Sequence, residues 1–342
     1  MNEQLLNTGP VAVIGGGTMG TALAQLLCGN GMKVRMWVYE KELVSQINDE
    51  RRNGLFLPDT RLHESIEATD SFAHALSEAR LVFSVTPSQV IRHIWESART
   101  HLRDDAVIVC ASKGIETGTG KLISEVLPDV IGSHAEQRIA YLSGPSFAKE
   151  MLAEQPTAVV IASRNAALAQ QVQHLISNSY FRAYTTDDVI GVEMGGAIKN
   201  VIAIAVGIAE GLGLGSNSRS ALITRGLAEI TRLAVTCGGQ PLTLSGLAGM
   251  GDLVLTCTGH LSRNLQTGIR LGRGESLQSI QAGTRMVAEG VATAYSTLQL
   301  AASRGVEMPI TEVVVSLLEH RCTPEDAVAT LMGRRLRAER EH

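Results

Sequence analysis

The stretch VAVIGGGTMGTALAQLLC, residues 11–28, decides the fold class of this 342-residue chain. Four apolar residues typical of a strand, Val11–Ile14, lead directly into Gly15-Gly16-Gly17-Thr18-Met19-Gly20, and residues that favour a helix follow. In this G-x-G-x-x-G context Gly15 permits the tight turn, Gly17 lets the backbone approach a diphosphate, and Gly20 allows the helix to pack closely on the strand. The first N–H groups of the helix favour phosphate. The stretch therefore predicts a dinucleotide-binding turn.

The residues after this turn support that interpretation but leave the coenzyme open. A helix stop at Asn30-Gly31 precedes a second strand that ends at Tyr39-Glu40, about twenty residues beyond Gly20, where an acid would bind the adenosine ribose of NAD. Basic residues follow at once and suit the 2′-phosphate of NADP equally well; they are Lys41, Arg51 and Arg52. A solvated turn at Glu40-Lys41 is a further interpretation. We count Tyr39 among the coenzyme-binding residues, with NADH or NADPH as the coenzyme.

Short strand signals alternate with amphipathic stretches through the first half of the chain. The predicted strands are Val11–Ile14, Lys33–Tyr39, Arg80–Val85, Ala106–Cys110, Arg138–Leu142, Thr157–Ala162 and Phe181–Tyr184. Such alternation indicates an α/β fold with a Rossmann-type, doubly wound, largely parallel sheet. After about Val189 only helical patterns remain, so we predict a dinucleotide-binding domain over residues 1–190 and an all-helical second domain over residues 191–342.

Composition excludes several classes of protein. With 44% hydrophobic and 19% charged residues the chain is neither disordered nor fibrous. A net charge of −4 and a pI near 6.2 give no positive field for nucleic acid or an anionic membrane. Five widely spaced cysteines without a C-x-x-C pair favour reduced thiols in the cytoplasm. No histidine spacing indicates a metal site.

One stretch, residues 195–215, is apolar enough to suggest a membrane span. It contains Lys199, Asn200 and Glu210, and charges at mid-bilayer depth are costly, so we predict a buried helix and no integral membrane segment. The start of the chain, Met1–Pro10, lacks the basic and apolar regions of a signal peptide.

Ligands of open α/β sheets bind beyond the carboxyl ends of the strands, and three strands here end in polar loops. These loops are Thr86-Pro87, Ser112-Lys113-Gly114 and Ser143-Gly144-Pro145-Ser146. An anion would be the natural partner of Lys113, although a lysine at a loop also reaches solvent along its own stem.

The helical half contains its own polar residues. Lys199 lies in an apolar helix, and residues 195–208 contain no other charged group, so burial would lower its pKa toward a range useful for proton transfer, unless it reaches solvent from one face. Asp252 and Thr256 are four residues apart and share a helix face; the alternative interpretation is that Asp252 only caps the helix. Arg263-Asn264 has donors suited to a phosphate or carboxylate, although an exposed Arg-Asn pair is also common on protein surfaces without a ligand.

Sequence patterns of other enzyme classes are absent: the sequence contains no G-x-S-x-G, H-E-x-x-H or Walker A pattern.

Several blocks in fixed order resemble the bacterial NAD(P)-dependent glycerol-3-phosphate dehydrogenases over nearly the whole chain. The blocks are VAVIGGGTMGTALA, LVFSVTPSQ, ASKGIETGTG, LSGPSFAKE, YTTDDVIGVEMGGAIKNVIAIAVGIAEGLGLG and SGLAGMGDLVLTCTGHLSRN. The chain departs from the family pattern at Gly16-Gly17-Thr18-Met19 and at Tyr39-Glu40, which bears on coenzyme preference rather than on the reaction.

The resemblance implies reversible reduction of dihydroxyacetone phosphate to sn-glycerol 3-phosphate, a supply of the glycerophospholipid backbone, a cytoplasmic location and a homodimer. It implies that Lys199 donates the proton in reduction and accepts it in oxidation. The implied substrate-binding residues are Lys113, Gly144, Ser146, Lys199, Asp252, Ser262, Arg263 and Asn264. The predicted coenzyme-binding residues are Gly15, Gly17, Thr18, Met19, Gly20, Tyr39, Lys113, Ala148, Arg263, Val287 and Glu289.

The chemistry of the reaction favours the same roles. Hydride transfer to a ketone develops negative charge on oxygen, and Lys199 offers both a cation and a proton, with Asp252 to orient it. Two other interpretations stay open at this point: a different two-domain dehydrogenase or imine reductase, and a non-catalytic dinucleotide sensor.

Overall fold

The computed structural model describes residues 9–282, 288–336 and 338–339. Two compact units divide them. The α/β unit runs to Ser112 and resumes over residues 124–189, and the helical unit comprises residues 113–123 and those from Ile190 onward. The domain boundaries proposed from sequence, residues 1–190 and 191–342, stay a prediction. Residues 113–123, an excursion of the chain out of the α/β unit, pack with the helices.

The described residues of the α/β unit form ten strands. They are β1 (Val11–Ile14), β2 (Val34–Trp37), β3 (Arg52–Asn53), β4 (Leu57–Arg61), β5 (Ile66–Thr69), β6 (Leu81–Ser84), β7 (Val107–Cys110), β8 (Ile139–Ser143), β9 (Thr157–Ala162) and β10 (Phe181–Thr186). Eight form one sheet in the order β10-β9-β8-β7-β6-β1-β2-β5, in which every pair is parallel except β8 with β9. The remaining pair, β3 and β4, forms a separate antiparallel hairpin. The predicted largely parallel sheet is confirmed.

Helices follow most of these strands, as expected where parallel strands need crossover connections. They are α1 (Thr18–Gly29), α2 (Glu42–Glu50), α3 (Phe72–Leu76), α4 (Ile91–Ala98), α5 (Ile123–Ile131), α6 (Ala148–Leu152) and α7 (Ala166–Ile176). The central strands β1, β6 and β7 are buried at every residue because helices cover both faces of such a sheet, which explains their continuous apolar runs.

The helical unit contains the remaining described helices. They are α8 (Val189–Gly211), α9 (Ser216–Thr236), α10 (Pro241–Leu244), α11 (Asp252–Thr258), α12 (Arg263–Gly272), α13 (Leu277–Ala282), α14 (Glu289–Arg304), α15 (Pro309–Leu318) and α16 (Pro324–Met332), with a π-helical turn over Leu247–Gly251. By length and composition α8 could cross a membrane, but 89% of its most apolar window is buried inside the protein, and the core helix of a soluble protein meets the same criteria.

A seam of glycines brings α8 against α12. A Cβ on Gly207 would lie 2.2 Å from the Leu265 carbonyl oxygen, and one on Gly268 would lie 2.2 Å from that of Ile204. Gly211 and Gly272 repeat the arrangement one turn along. The two backbones therefore approach more closely than any side chain at these positions would allow.

The excursion 113–123 is held on the helical unit by apolar and polar contacts. Ile115 and Leu122 are buried in the core of that unit. Thr117 and Ser296 join through their hydroxyls at 3.1 Å, and Gln299 donates to the Gly118 carbonyl at 3.0 Å. Lys113, the first residue of the excursion, is thereby fixed relative to the helices.

Candidate active site

The glycine turn of the α/β unit has the geometry that its sequence predicts. β1 ends at Ile14 and α1 begins at Thr18. Gly15 has a φ of +122°, and a Cβ there would lie 2.5 Å from the Val85 carbonyl oxygen. A Cβ on Gly20 would lie 1.9 Å from the Gly15 carbonyl oxygen, whereas one on Gly17 would meet nothing within 4 Å. The packing at Gly15 and Gly20 thus leaves no room for a side chain, and Gly17 leaves its backbone open to a ligand.

The surroundings of this turn fit a dinucleotide. Among the described residues, Thr86 Oγ1 beyond β6 and Ser143 Oγ at the end of β8 are buried without a hydrogen-bond partner. Thr86 flanks the turn, because its Cγ2 lies 3.4 Å from where a Cβ of Gly15 would be. Buried polar atoms are seldom left unsatisfied, so an unpaired hydroxyl beside an open glycine backbone suits a polar ligand such as NAD(P). Thr18 and Met19 form the first turn of α1 beside it.

The end of β2 exposes the residues that bear on coenzyme choice. Tyr39 is 76% exposed and packs edge-on against Trp37, with ring centroids 6.5 Å apart. Lys41 is exposed, and its ammonium lies 3.9 Å from Asp70. Glu40 and Lys41 are adjacent just beyond β2, so an acid that suits the ribose of NAD lies next to a base that suits the 2′-phosphate of NADP.

A second loop of the α/β unit follows β8. Gly144 has a φ of +125°, and a Cβ there would lie 3.0 Å from Val159 Cα on the neighbouring antiparallel strand. Ser146 is buried and donates from Oγ to the Gly144 carbonyl at 3.0 Å. Ala148 is the first residue of α6. The loop brings three predicted site residues together within one tight bend.

The helical unit contains a buried cluster of two lysines and one aspartate. Lys199 on α8 donates from Nζ to Asp252 Oδ1 at 2.5 Å and to Thr256 Oγ1 at 2.9 Å. Lys113 donates from Nζ to the other carboxylate oxygen, Oδ2, at 2.7 Å. The Lys199 and Asp252 side chains are 9% and 2% exposed, so this is an interior ion cluster. Three of the predicted substrate-binding residues are thus in direct contact.

Local packing explains how Asp252 reaches Lys199. A Cβ on Gly195 would lie 2.5 Å from the Ala248 carbonyl oxygen, so the π-helical turn before α11 lies directly on α8 one turn before Lys199. A Cβ on Gly249 would lie 2.1 Å from the Leu244 carbonyl oxygen. The small residues of this glycine-rich stretch therefore let α11 start beside α8, and Asp252 is its first residue.

Burial and charge shift the ionisation of the cluster in opposite directions. Desolvation lowers the pKa of Lys199 to about 8, although the Asp252 carboxylate raises it and the Lys113 ammonium lowers it further. Burial alone would raise the pKa of Asp252, but the attraction and hydrogen bonds of both lysines hold it below its usual range. The carboxylate is therefore ionised near neutral pH, while Lys199 exchanges its proton in a range useful for catalysis. Desolvation is the effect that the apolar sequence around Lys199 predicts, whereas the opposing effect of Asp252 could not be weighed against it from the sequence.

The start of α12 carries the second polar group. Ser262 caps the helix by accepting from the Leu265 N–H at 3.2 Å, and Arg263 is exposed at its first residue. Asn264 is buried; its Nδ2 donates to Asn200 Oδ1 at 2.9 Å, and its Oδ1 accepts from the Gly290 N–H at 3.0 Å. Asn200 follows Lys199 in the chain, so this contact links the α12 N-terminus to the lysine cluster.

Sequence reasoning missed the contacts that hold these residues in place. It gave no role to Asn200 or Gly290, and no role to Thr256 beyond its helix face. Glu289 is the first residue of α14, and Val287 lies outside the described residues. The polar character of Asn200 inside an apolar helix was the available signal for its partner.

Comparison with known proteins identifies the family. Residues 10–169 match the NAD-dependent glycerol-3-phosphate dehydrogenase N-terminus, and residues 188–329 match its C-terminus. The Glycerol-3-phosphate dehydrogenase [NAD(P)+] of Citrifermentans bemidjiense is 51% identical over 96% of this chain and 98% of its own length. That of Syntrophotalea carbinolica is 50% identical over 96% and 99%.

A solved structure agrees with these relatives. The glycerol-3-phosphate dehydrogenase of Coxiella burnetii superposes with a TM-score of 0.90 at 38% identity, covering 95% of this chain and 99% of that one. The likeness spans both the sheet and the helical unit. The chain belongs to the NAD(P)-dependent glycerol-3-phosphate dehydrogenase family.

Proposed function

We propose that this chain reversibly reduces dihydroxyacetone phosphate to sn-glycerol 3-phosphate, with Lys199 as the residue that gives and takes the proton. The observation that carries the assignment is the buried ammonium of Lys199, held by Asp252 and Thr256 with Lys113 on the same carboxylate. Family membership supports the reaction, and NADH or NADPH supplies the hydride when bound.

Lys199 is suited to protonate a ketone oxygen as negative charge develops on it. An ammonium whose pKa is lowered to about 8 gives up its proton more readily than an ordinary lysine. Before transfer its positive charge also stabilises the developing alkoxide, since burial strengthens the attraction. In the oxidative direction the neutral amine accepts the hydroxyl proton. Asp252 and Thr256 orient Nζ throughout.

The start of α12 is suited to the phosphate of the substrate. Its first N–H groups and helix dipole favour an anion, and the exposed guanidinium of Arg263 adds two parallel donors. Asn264 is held in one orientation by Asn200 and Gly290, with little side-chain entropy left to lose on binding. Binding the remote phosphate would then help to align the carbonyl with Lys199.

The coenzyme belongs to the glycine turn of the α/β unit. Gly15, Gly17 and Gly20 shape the turn, and Thr18 and Met19 begin the helix over which a diphosphate would bind. Tyr39 beyond β2 and Ala148 at the start of α6 would contact the coenzyme, and the family resemblance assigns a coenzyme contact to Glu289 as well. The loop with Gly144 and Ser146 would contribute to substrate binding.

From the family resemblance we also propose a cellular location, an oligomeric state and a metabolic role for the enzyme. The chain would act in the cytoplasm as a homodimer and supply sn-glycerol 3-phosphate for glycerophospholipid synthesis. Sedimentation velocity of the purified protein tests the oligomer, and a monomer at all concentrations would contradict it.

A coenzyme-oxidation assay tests the function. Dihydroxyacetone phosphate is mixed with NADH or NADPH and wild-type protein, with Lys199→Ala, or with Lys33→Ala, which removes an exposed lysine. We expect turnover in wild type and Lys33→Ala, none in Lys199→Ala, and unchanged coenzyme binding in all three. Near-normal kcat in Lys199→Ala would contradict the role of Lys199. Turnover only with an unphosphorylated ketone or an imine would show that the protein is a different reductase. Coenzyme binding without turnover of any substrate would show that it is a dinucleotide sensor.

A further inference from the structure

We propose that Asn53 is a positioning residue for coenzyme binding, because its side-chain amide fixes the peptide between Gly16 and Gly17 and so directs the Gly17 N–H toward the coenzyme diphosphate. The inference rests on the proposed coenzyme site at the glycine turn. Asn53 lies on β3, in the hairpin after α2, and is not among the residues predicted to bind the coenzyme.

Asn53 is buried, and both the nitrogen and the oxygen of its side-chain amide make hydrogen bonds. The residue is 0% exposed. Its Nδ2 donates to the Gly16 carbonyl oxygen at 2.7 Å and to Thr21 Oγ1 at 2.8 Å, and its Oδ1 accepts from the Phe56 N–H at 3.2 Å. Thr21 Oγ1 donates in turn to the same Gly16 carbonyl at 3.3 Å. Two donors from beneath the turn therefore hold one carbonyl oxygen.

Fixing this carbonyl determines where the next N–H points. All peptides of the described residues are trans, and in a trans peptide the C=O of one residue and the N–H of the next point in opposite directions. Because the Gly16 C=O points toward Asn53, the Gly17 N–H points away from it. The space at the Gly17 Cα is open as well, since a Cβ there would meet nothing within 4 Å.

At Gly16, by contrast, neighbouring side chains fill the space where a side chain would be. A Cβ on Gly16 would lie 2.4 Å from Val38 Cγ1. Within the described residues the Gly17 N–H makes no hydrogen bond, while its own carbonyl accepts from the Thr21 N–H at 2.9 Å. A glycine backbone has wide conformational freedom, and the amide of Asn53 supplies the restraint that the missing side chains cannot.

The chemistry of Asn53 makes the role specific. An aspartate at this position would set a carboxylate oxygen against the Gly16 carbonyl oxygen, and an alanine would leave that carbonyl with the longer Thr21 bond alone. Loss of this restraint should weaken binding of the diphosphate, and binding of the adenosine part should be unaffected.

Calorimetric titration of the full-length protein separates these effects. The ligands are NADPH, ADP, which carries a diphosphate, and adenosine, which does not; adenosine is measured by displacement of NADPH. The variants are Asn53→Ala and the milder Asn53→Ser, which retains a donor. The matched control is Asn48→Ala, since Asn48 bonds the Ala68 backbone at 2.9 and 2.7 Å from the same region but does not touch the turn.

We expect Asn53→Ala to weaken NADPH and ADP about tenfold, Asn53→Ser to weaken them less, and adenosine affinity to stay within about twofold in both. At saturating coenzyme the KM for dihydroxyacetone phosphate should be unchanged. Equal losses for ADP and adenosine, an unchanged ADP affinity in Asn53→Ala, or the same loss in Asn48→Ala would overturn the assignment. Failure of wild-type protein to bind NADPH would instead overturn the proposed coenzyme site itself.

Discussion

Glu229 on α9 is a buried carboxyl group that the proposed reaction does not use, and it predicts a measurable pH dependence of stability. It is 3% exposed and accepts from the Ile310 N–H at 2.7 Å and the Thr311 N–H at 3.4 Å, at the start of α15. Burial raises its pKa from 4.5 to about 7, although the two backbone donors oppose the shift. The ionised form is therefore disfavoured in the folded protein.

The size of the effect follows from proton linkage. A carboxyl that binds its proton more tightly when folded contributes stability that is complete below the unfolded pKa and is lost as pH rises through the folded one. With values of 4.5 and about 7, the full change corresponds to about 3 kcal/mol, of which roughly 2.5 kcal/mol falls between about pH 5 and about pH 8.

The test compares wild type with Glu229→Gln, which keeps an oxygen for the Ile310 N–H and cannot ionise. Urea unfolding followed by far-UV circular dichroism gives the free energy of unfolding of each protein at both pH values. We expect the variant to gain about 2.5 kcal/mol relative to wild type on going from the lower to the higher pH. Glu325→Gln, an exposed carboxylate in the first turn of α16, is the control and should show no such change.

Two results would refute this reasoning. A stability difference that is the same at both pH values would mean that the Glu229 carboxyl does not titrate differently in the folded and unfolded proteins. A variant that loses stability as pH rises would mean that the charge on Glu229, paired with the N-terminus of α15, stabilises the fold more than burial disfavours it.

The remaining predictions concern the lysine cluster and the glycines. In wild type, reduction should slow above about pH 8 as Lys199 loses its proton, and oxidation should slow below that value, as steady-state rates in both directions would show. Asp252→Asn removes the carboxylate that raises the pKa of Lys199, so the pH at which reduction slows should move lower and kcat should fall at least tenfold; an unmoved profile would contradict the coupling. Gly207→Ala places a Cβ 2.2 Å from the Leu265 carbonyl and should cost about 3 kcal/mol in urea unfolding. Gly29→Ala, exposed in the last turn of α1 with only the Tyr180 hydroxyl within 4 Å, should instead add about 0.5 kcal/mol, and a loss there would show that open space alone is not sufficient.

The large sheet could be predicted from sequence because its strands are short apolar runs separated by helical stretches. All seven predicted strands agree with their observed bounds to within about two residues, and β1 and β9 agree at both ends. The burial of Lys199 was predictable from a similar pattern, since residues 195–208 around it contain no other charged residue.

The hairpin of β3 and β4 and the edge strand β5 were not predicted. β4 has the sequence LPDTR and β5 has IEAT, so neither shows a run of β-branched residues, and proline in β4 argues against a central strand. The hairpin is joined to the glycine turn by the contact of Asn53 with Gly16, two residues 37 positions apart in the chain. Periodicity carries no information about such contacts.

The pairing of Lys113 with Asp252 was likewise beyond sequence reasoning, because 139 residues separate the two. Lys113 follows β7 directly and was expected at the edge of the sheet. The excursion that it begins instead packs its Ile115 and Leu122 into the helical core, so the lysine is described with the helices. Two buried apolar residues in a short loop were the only local signal.

The contacts of the cluster also distinguish which of its members can transfer a proton. Both carboxylate oxygens of Asp252 are engaged, Oδ1 by Lys199 and Oδ2 by Lys113, and the two positive charges keep its pKa low, so the carboxylate is a poor acceptor. Thr256 Oγ1 donates to the Asp252 carbonyl at 2.6 Å while it accepts from Lys199, so its own proton is already in use. Lys199 has three ammonium protons and two described acceptors, and its lowered pKa makes a third proton available to a substrate oxygen. The arrangement therefore favours Lys199 over its neighbours as the proton donor.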